Sequence, residues 1–212
     1  GIVKISVGSA PENHEDFAPS ITIQDDGKIR IAGDSYIWPI THLALIRLLP
    51  SGVIDSSFGV DGKVLTDVGN SENSAYGITI QSDGKIVAVG ECRDNTLPGG
   101  GNFAVARFNP DGSPDNGFGS SGKINDDILG AEDYAYCVKE QTDGKLVVSG
   151  IANNSSYYRF AVVRYYGISN LSIEINPVNP LSVFPNPATS MIKISCNEKG
   201  IIRIINATGI VM

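Results

Sequence analysis

The stretch "QSDGKIVAVG", residues 81–90, decides the fold, because the chain writes it three times. "QDDGKIRIAG" occupies 24–33 and "QTDGKLVVSG" occupies 141–150, so the leading glutamine recurs at steps of 57 and 60 residues. Two further phrases keep the same spacing. "LALIRLLPSG" at 43, "FAVARFNPDG" at 103 and "FAVVRYYGIS" at 160 form one set, and "FGVDGKV" at 58 and "FGSSGKI" at 118 form the other. The opening "GIVKISVG" aligns with "GKVLTDVG" at 62–69, which places the first residues in mid-repeat. A fixed period of this length marks stacked units, each too small to bury its own apolar face.

Within a unit every local signal is β. "YGITIQ" and "KIVAVG" are short, rich in β-branched residues and bounded by turn residues. Asp83-Gly84 between them predicts a two-residue type I′ turn, as do Asp26-Gly27 and Asp143-Gly144. "NFAVARF" predicts a third strand, followed by "NPDG", a turn with Pro at its second position. "GKVLTDV" predicts a fourth. Four short strands per unit without a helical period describe a propeller blade; a β-sandwich is the plainer alternative. In the second strand Ile86, Ala88 and Gly90 lie on one face and Val87 and Val89 on the other. Apolar residues on both faces predict burial on both sides, as stacked blades provide. Arg30 interrupts this pattern in the first copy and is expected to meet solvent or a poorly packed neighbour. Three blades are too few to close a ring, so the row is expected to be open or incomplete.

Composition sets the outer limits. With 212 residues, 42% hydrophobic and 18% charged, the chain is globular in character. A formal charge of −7 disfavours nucleic acid and anionic lipid as partners. No apolar run approaches the length of a membrane span. Cys92, Cys137 and Cys196 are widely separated and form no metal-binding spacing. The chain opens on Gly1 in mid-repeat and closes on Met212 in an apolar stretch, which reads as a piece of a longer protein.

The pattern Q-x-D-G-K-I, then F-A-[VL]-x-R-[FY]-N-P-D-G-S-x-D-x-x-F-G-x-x-G-K-V, resembles the delta-60 repeat. The second copy carries it from Gln81 through Arg107, Asn109 to Ser113, Asp115, Phe118-Gly119 and Gly122-Lys123. The first departs at "LLPSGVIDSSFG" and the third loses it after Arg164. The resemblance spans roughly 1–166, divided at about 1–61, 62–121 and 122–166. It implies an all-β, propeller-type architecture in a secreted bacterial protein and supplies no chemistry.

After Tyr166 the register breaks, and 167–182 reads as a linker or entry strand. Residues 183–212 resemble the type A C-terminal sorting domain of type IX secretion cargo from the Bacteroidota. The resemblance rests on Pro185-Asn186-Pro187 behind an apolar pair, on Ile192 and Ile194, and on "IRIINATGIVM". It implies a small Ig-like sandwich, here lacking its last strands, that the outer-membrane export machinery recognises. It therefore implies a secreted or outer-membrane-attached bacterial protein. Strands are expected at 191–196 and 201–206.

Candidate chemistry is sparse, and no catalytic, cofactor-binding or metal-binding residue is assigned. His14 and His42 stand in non-equivalent places and read as surface residues. Asn109, Asp111 and Ser113 alternate as calcium ligands would, with Asp115 beyond, but the glycine and glutamate of an EF-hand loop are misplaced. Turn chemistry accounts for these residues better. "PGGGN" at 98–102 leads into a strand, not a helix, and so lacks a phosphate cradle. The sequons at Asn153, Asn154, Asn170 and Asn206 carry little weight in a bacterial protein.

Arg47, Arg107 and Arg164 recur in an apolar strand, and a half-buried guanidinium needs a partner. Asp26, Asp83 and Asp143, the acids present in all three copies, are the expected partners. The alternative is a ring of guanidinium groups around a channel, able to hold an anion. The functional expectation is a non-catalytic binding or structural scaffold, with an unidentified glycan or protein ligand. Its alternatives are the non-catalytic part of a larger secreted enzyme, or a propeller that only spaces another domain.

Overall fold

The computed structural model describes residues 2–7, 14–93, 100–166 and 202–205, with His14 and the last four described by backbone alone. The chain is all-β, in three four-stranded antiparallel sheets. The first holds β1 (His14–Ile23), β2 (Ile29–Ile37), β3 (Ile40–Leu48) and β4 (Lys63–Thr66) in that order. The second holds β5 (Asn73–Ile80), β6 (Ile86–Arg93), β7 (Gly101–Phe108) and β8 (Lys123–Asp126). In the third, β9 (Tyr134–Glu140), β10 (Leu146–Asn153) and β11 (Tyr158–Tyr165) are joined by β12 (Ile202–Ile205). The fourth strands of the first two sheets begin just after the repeat boundaries at 61 and 121. The first strands of successive sheets touch one another, whereas β4 and β8 share no extensive contact. The sheets thus fan outward as propeller blades do, in an open row. Among the described residues no helix is long and apolar enough to cross a membrane.

The refrain forms a hairpin, but not through the expected turn. Gly84 N–H donates to Gln81 C=O and Gln81 N–H to Lys85 C=O, each at 2.8 Å, so the loop has three residues. Only its glycine is left-handed, with φ of 83° at Gly84 and 80° and 77° at Gly27 and Gly144. This is a type I turn closed by a glycine bulge. The aspartate Oδ1 accepts from the N–H two residues on, at 3.1, 3.0 and 3.2 Å in the three copies. Type I′ geometry belongs instead to Asp61-Gly62, with φ of 50° and 85°, and to Ser121-Gly122, with φ of 52° and 88°. "NPDG" turns as expected, Gly112 N–H donating to Asn109 C=O at 2.9 Å.

The two faces of the refrain strand separate into two cores. Ile86 and Ala88, with Ala106 and Phe108, pack on Ala32, Leu43, Leu45 and Phe58 of the first blade. Val87 and Val89, with Phe103, Val105 and Phe118, pack on Leu146, Val148, Ala161 and Val163 of the third. The refrain's final glycine has a separate cause. β1, β5 and β9 each shift register beside it, so the first strand presses on the second. A Cβ at Gly33, Gly90 or Gly150 would lie 1.8, 1.9 or 1.9 Å from the carbonyl oxygen of Phe17, Ser74 or Tyr134.

The segment before β1 obeys the repeat even without pairing as a strand. Val7 N–H donates to Asp16 Oδ2 at 3.0 Å, as Val68 N–H does to Asn73 Oδ1 at 2.7 Å and Ile128 N–H to Asp133 Oδ2 at 2.6 Å. Val3, Ile5 and Val7 line an apolar groove with Ile31, Gly33, Ala44 and Ile46, over the blade-1 face that points away from blade 2.

Arg30 departs from expectation. It is 1% exposed, between the first two blades, and no described carboxylate comes within ion-pair distance. Its Nη2 donates to Pro110 C=O at 3.1 Å and its guanidinium lies 4.8 Å from the Phe58 ring centroid. Burial, then the adjacent Arg47 charge, lowers its pKa to about 10. The next blade covers Arg30 regardless of its polarity, because the hydrophobic residues around it fix the stacking.

Of the tail, only β12 is described. Among the described residues, β12 pairs with β11, Ile202 opposite Arg164 through Ile205 opposite Ala161. The rest of the expected sandwich, with the strand at 191–196 and the linker at 167–182, lies outside the described residues.

Candidate functional site

The recurring arginines find partners other than the expected ones. Arg47 Nε lies 2.8 Å from Asp55 Oδ2 and Arg107 Nε lies 2.8 Å from Asp115 Oδ2. Asp26, Asp83 and Asp143 close their own turns instead. The corner after β3 or β7 brings the chain back, so that Asp115 N–H donates to Arg107 C=O at 3.0 Å, and Asp55 does likewise to Arg47. Each guanidinium also covers an aromatic ring, Arg47 over Phe58 at 4.8 Å and Arg107 over Phe118 at 4.3 Å. Arg47 further donates to Pro110 C=O of the next blade at 3.0 Å. Arg47 and Arg107 are buried and make no channel lining, so the ring of guanidinium groups does not form. Arg164 is half-buried in the third blade, where its charge helps hold Asp143 below the usual carboxylate range, after the hydrogen bonds from Lys145.

The other singled-out residues serve local structure. Asp111 Oδ1 accepts from Ser113 N–H at 2.9 Å and from its hydroxyl at 2.7 Å. His42 Nδ1 lies 2.7 Å from Asp67 Oδ1. Cys92 is buried and Cys137 exposed. Of the glycine loop, Gly101 begins β7. The His14 side chain, Cys196, Asn170 and Asn206 lie outside the described residues.

The structure assembles a different group of residues. At the register shift of the innermost strands the three copies diverge, reading Phe17-Ala18-Pro19, Ser74-Ala75-Tyr76 and Tyr134-Ala135-Tyr136. Tyr76 and Tyr136 lie 5.6 Å apart between ring centroids, and Tyr134 and Tyr136 stack at 6.3 Å with planes 4° apart. Beneath them stands Glu91, the residue after the refrain glycine, with its side chain 10% exposed. Tyr76 O–H donates to Glu91 Oε1 at 2.8 Å. Glu91 Oε2 accepts no hydrogen bond; its nearest cation is Arg93 Nε at 4.0 Å. Arg93 in turn reaches Glu72 at 3.0 Å and Glu132 at 3.6 Å. Tyr158 O–H, on β11, donates to Glu132 Oε2 at 2.8 Å.

The electrostatics follow from burial and an excess of acids. Desolvation raises the Glu91 pKa against the opposing Tyr76 hydrogen bond. Desolvation, then the Glu91 charge, raises Tyr76 and Tyr136 and pushes Tyr134 up to about 12, so the phenols stay neutral. Among the described residues three carboxylates, Glu72, Glu91 and Glu132, face the Arg93 guanidinium. Tyr136 remains 47% exposed and Tyr158 52%, so the rings are reachable from solvent. The result is an aromatic surface with an acidic floor, suited to holding a ligand. Sequence reasoning missed it because its residues come from two blades. The available signal was the change of residue at the register shift, next to the conserved spacing of the refrain.

Comparison with known proteins agrees with this architecture. Residues 24–58, 81–118 and 141–165 match the family described as Domain of unknown function (DUF5122) beta-propeller. Residues 182–212 match the Secretion system C-terminal sorting domain. No curated protein matches the chain.

Proposed function

We propose that this chain, a β-propeller repeat region followed by a type IX secretion sorting domain, is a non-catalytic binding scaffold displayed outside the cell. The sorting domain implies engagement with the type IX machinery and export to the medium or cell surface. One observation carries the binding role: the exposed tyrosine surface over Glu91 and Glu132. The repeated phrases are spent on turns, inter-blade packing and buried ion pairs. At the register shift of the innermost strands the copies carry different residues, and there the second and third blades together present tyrosines to solvent. Aromatic rings beside a few placed polar groups are a common composition for ligand surfaces.

A binding screen against immobilised glycans and surface proteins tests the reading, with wild type and Tyr136→Ala side by side. Retention of wild type on at least one ligand, lost in the variant, supports it. A folded chain that binds nothing overturns it and leaves a purely structural role. Turnover of a bound glycan or peptide by the isolated chain would overturn the non-catalytic part.

A further inference from the structure

We propose that the tyrosine–glutamate surface of the second and third blades binds an alkylammonium group, the charged head of a lysine-type or quaternary amine. This rests on the binding role above and names its ligand chemistry.

Three independent features select a cation. Tyr76, Tyr134 and Tyr136 form a contiguous set of rings, and the face of a phenol ring carries the negative part of its quadrupole. The Tyr76 hydroxyl donates to Glu91, which pushes electron density toward its ring and strengthens that attraction. Acids then outnumber bases, Glu72, Glu91 and Glu132 against Arg93, so an approaching anion is repelled.

The third feature is the most specific. Glu91 is nine-tenths buried, its charge is felt by all three rings, and its Oε2 accepts no hydrogen bond. A buried carboxylate is costly to desolvate, and a positive charge held on the rings beside it offsets that cost through space, with or without an N–H donor. Arg93 is the cation already in range, against Glu72 at 3.0 Å and Glu132 at 3.6 Å and 4.0 Å from Glu91 Oε2, so among these described residues one guanidinium serves three carboxylates. Gly101 leaves room for the carboxylate, since a Cβ there would lie 2.6 Å from Glu91 Oε2. A neutral saccharide would use the rings but has no need of the excess charge.

The test compares choline with 3,3-dimethylbutan-1-ol, which has nearly the same shape and no charge, by NMR titration of the tyrosine ring resonances. Choline should shift the rings and bind at least about ten-fold more tightly than the alcohol, with affinity falling as salt rises. Tyr136→Phe should keep this, while Tyr136→Ala and Glu91→Gln should each lose most of it. A short peptide with one trimethyl-lysine separates the sources: tighter binding than choline indicates a protein side chain, and equal binding a small amine. Equal binding of alcohol and choline overturns the proposal, as does no response to choline from a folded chain. If choline fails while a neutral oligosaccharide shifts the same rings, the ammonium assignment falls and the scaffold reading stands. If nothing shifts the rings, both fall.

Discussion

Arg107 donates from Nε to Asp115 Oδ2 across 2.8 Å, with the arginine side chain fully buried and the aspartate side chain 11% exposed. Lys85 Nζ stands 3.3 Å from the same oxygen. The arrangement is asymmetric, because the acid has a second cation within reach and the arginine is the more deeply buried partner. Asp115→Ala should therefore cost about 3–5 kcal/mol, the range for stranding a buried charge. Arg107→Met, which leaves Asp115 with Lys85, should cost less, about 1–2 kcal/mol. Urea denaturation of both variants checks the order, and equal losses would contradict the asymmetry. Arg107, acting against desolvation, holds the Asp115 pKa below its ordinary value, so this stabilisation is present at neutral pH and is lost as pH falls through the depressed folded-state pKa.

Arg30 offers the opposite experiment. Its Nε and Nη1 are buried without hydrogen-bond partners, where the later copies carry Val87 and Val147. Replacement by an apolar side chain of similar length removes an uncompensated charge from a packed seam. Arg30→Met should raise stability by about 1 kcal/mol or more. A loss of stability would mean that the Phe58 and Pro110 contacts outweigh the desolvation of the charge.

Asp133 should give the chain a pH signature. It is fully buried, and desolvation raises its pKa to about 6 against N–H donors from Ile128, Asn153 and Leu129. Between about pH 4 and 6 the native chain keeps a proton that the unfolded chain has released, so this group's contribution to stability falls as pH rises. The equivalent residue in the second blade is Asn73, which never ionises and makes the same capping bond. Asp133→Asn should match wild type near pH 4 and exceed it by on the order of 1–3 kcal/mol at pH 7. Urea titrations at four pH values test this, and a constant difference across the range would refute it.

Phe103 and Phe160 occupy the same repeat position, yet one is 0% and the other 76% exposed. The third blade covers Phe103, and the described residues place no blade over Phe160. Phe103→Ser should cost about 3–5 kcal/mol and Phe160→Ser less than about 0.5 kcal/mol. Comparable losses in thermal or urea unfolding would show that Phe160 is covered in solution.

The sequence alone determined the period, the strands and the pairing of faces. Ile86 and Ala88 on one side and Val87 and Val89 on the other follow from a two-residue side-chain alternation, and both sides are apolar. Resemblance also placed the sorting tail at 183–212, against a match over 182–212. Turn type was less legible, since Asp-Gly suits both a glycine bulge and a type I′ turn, and the neighbouring hydrogen bonds choose between them. The tertiary structure decided the rest. Asp55 and Asp115 displaced the expected Asp26 and Asp83 because the corner after the third strand folds back onto its own arginine. Arg30 is buried because stacking is set by the whole apolar face and not by one polar residue upon it. The tyrosine–glutamate surface exists only once two blades meet, for Glu91 and Tyr136 lie 45 positions apart in sequence and share one environment in space.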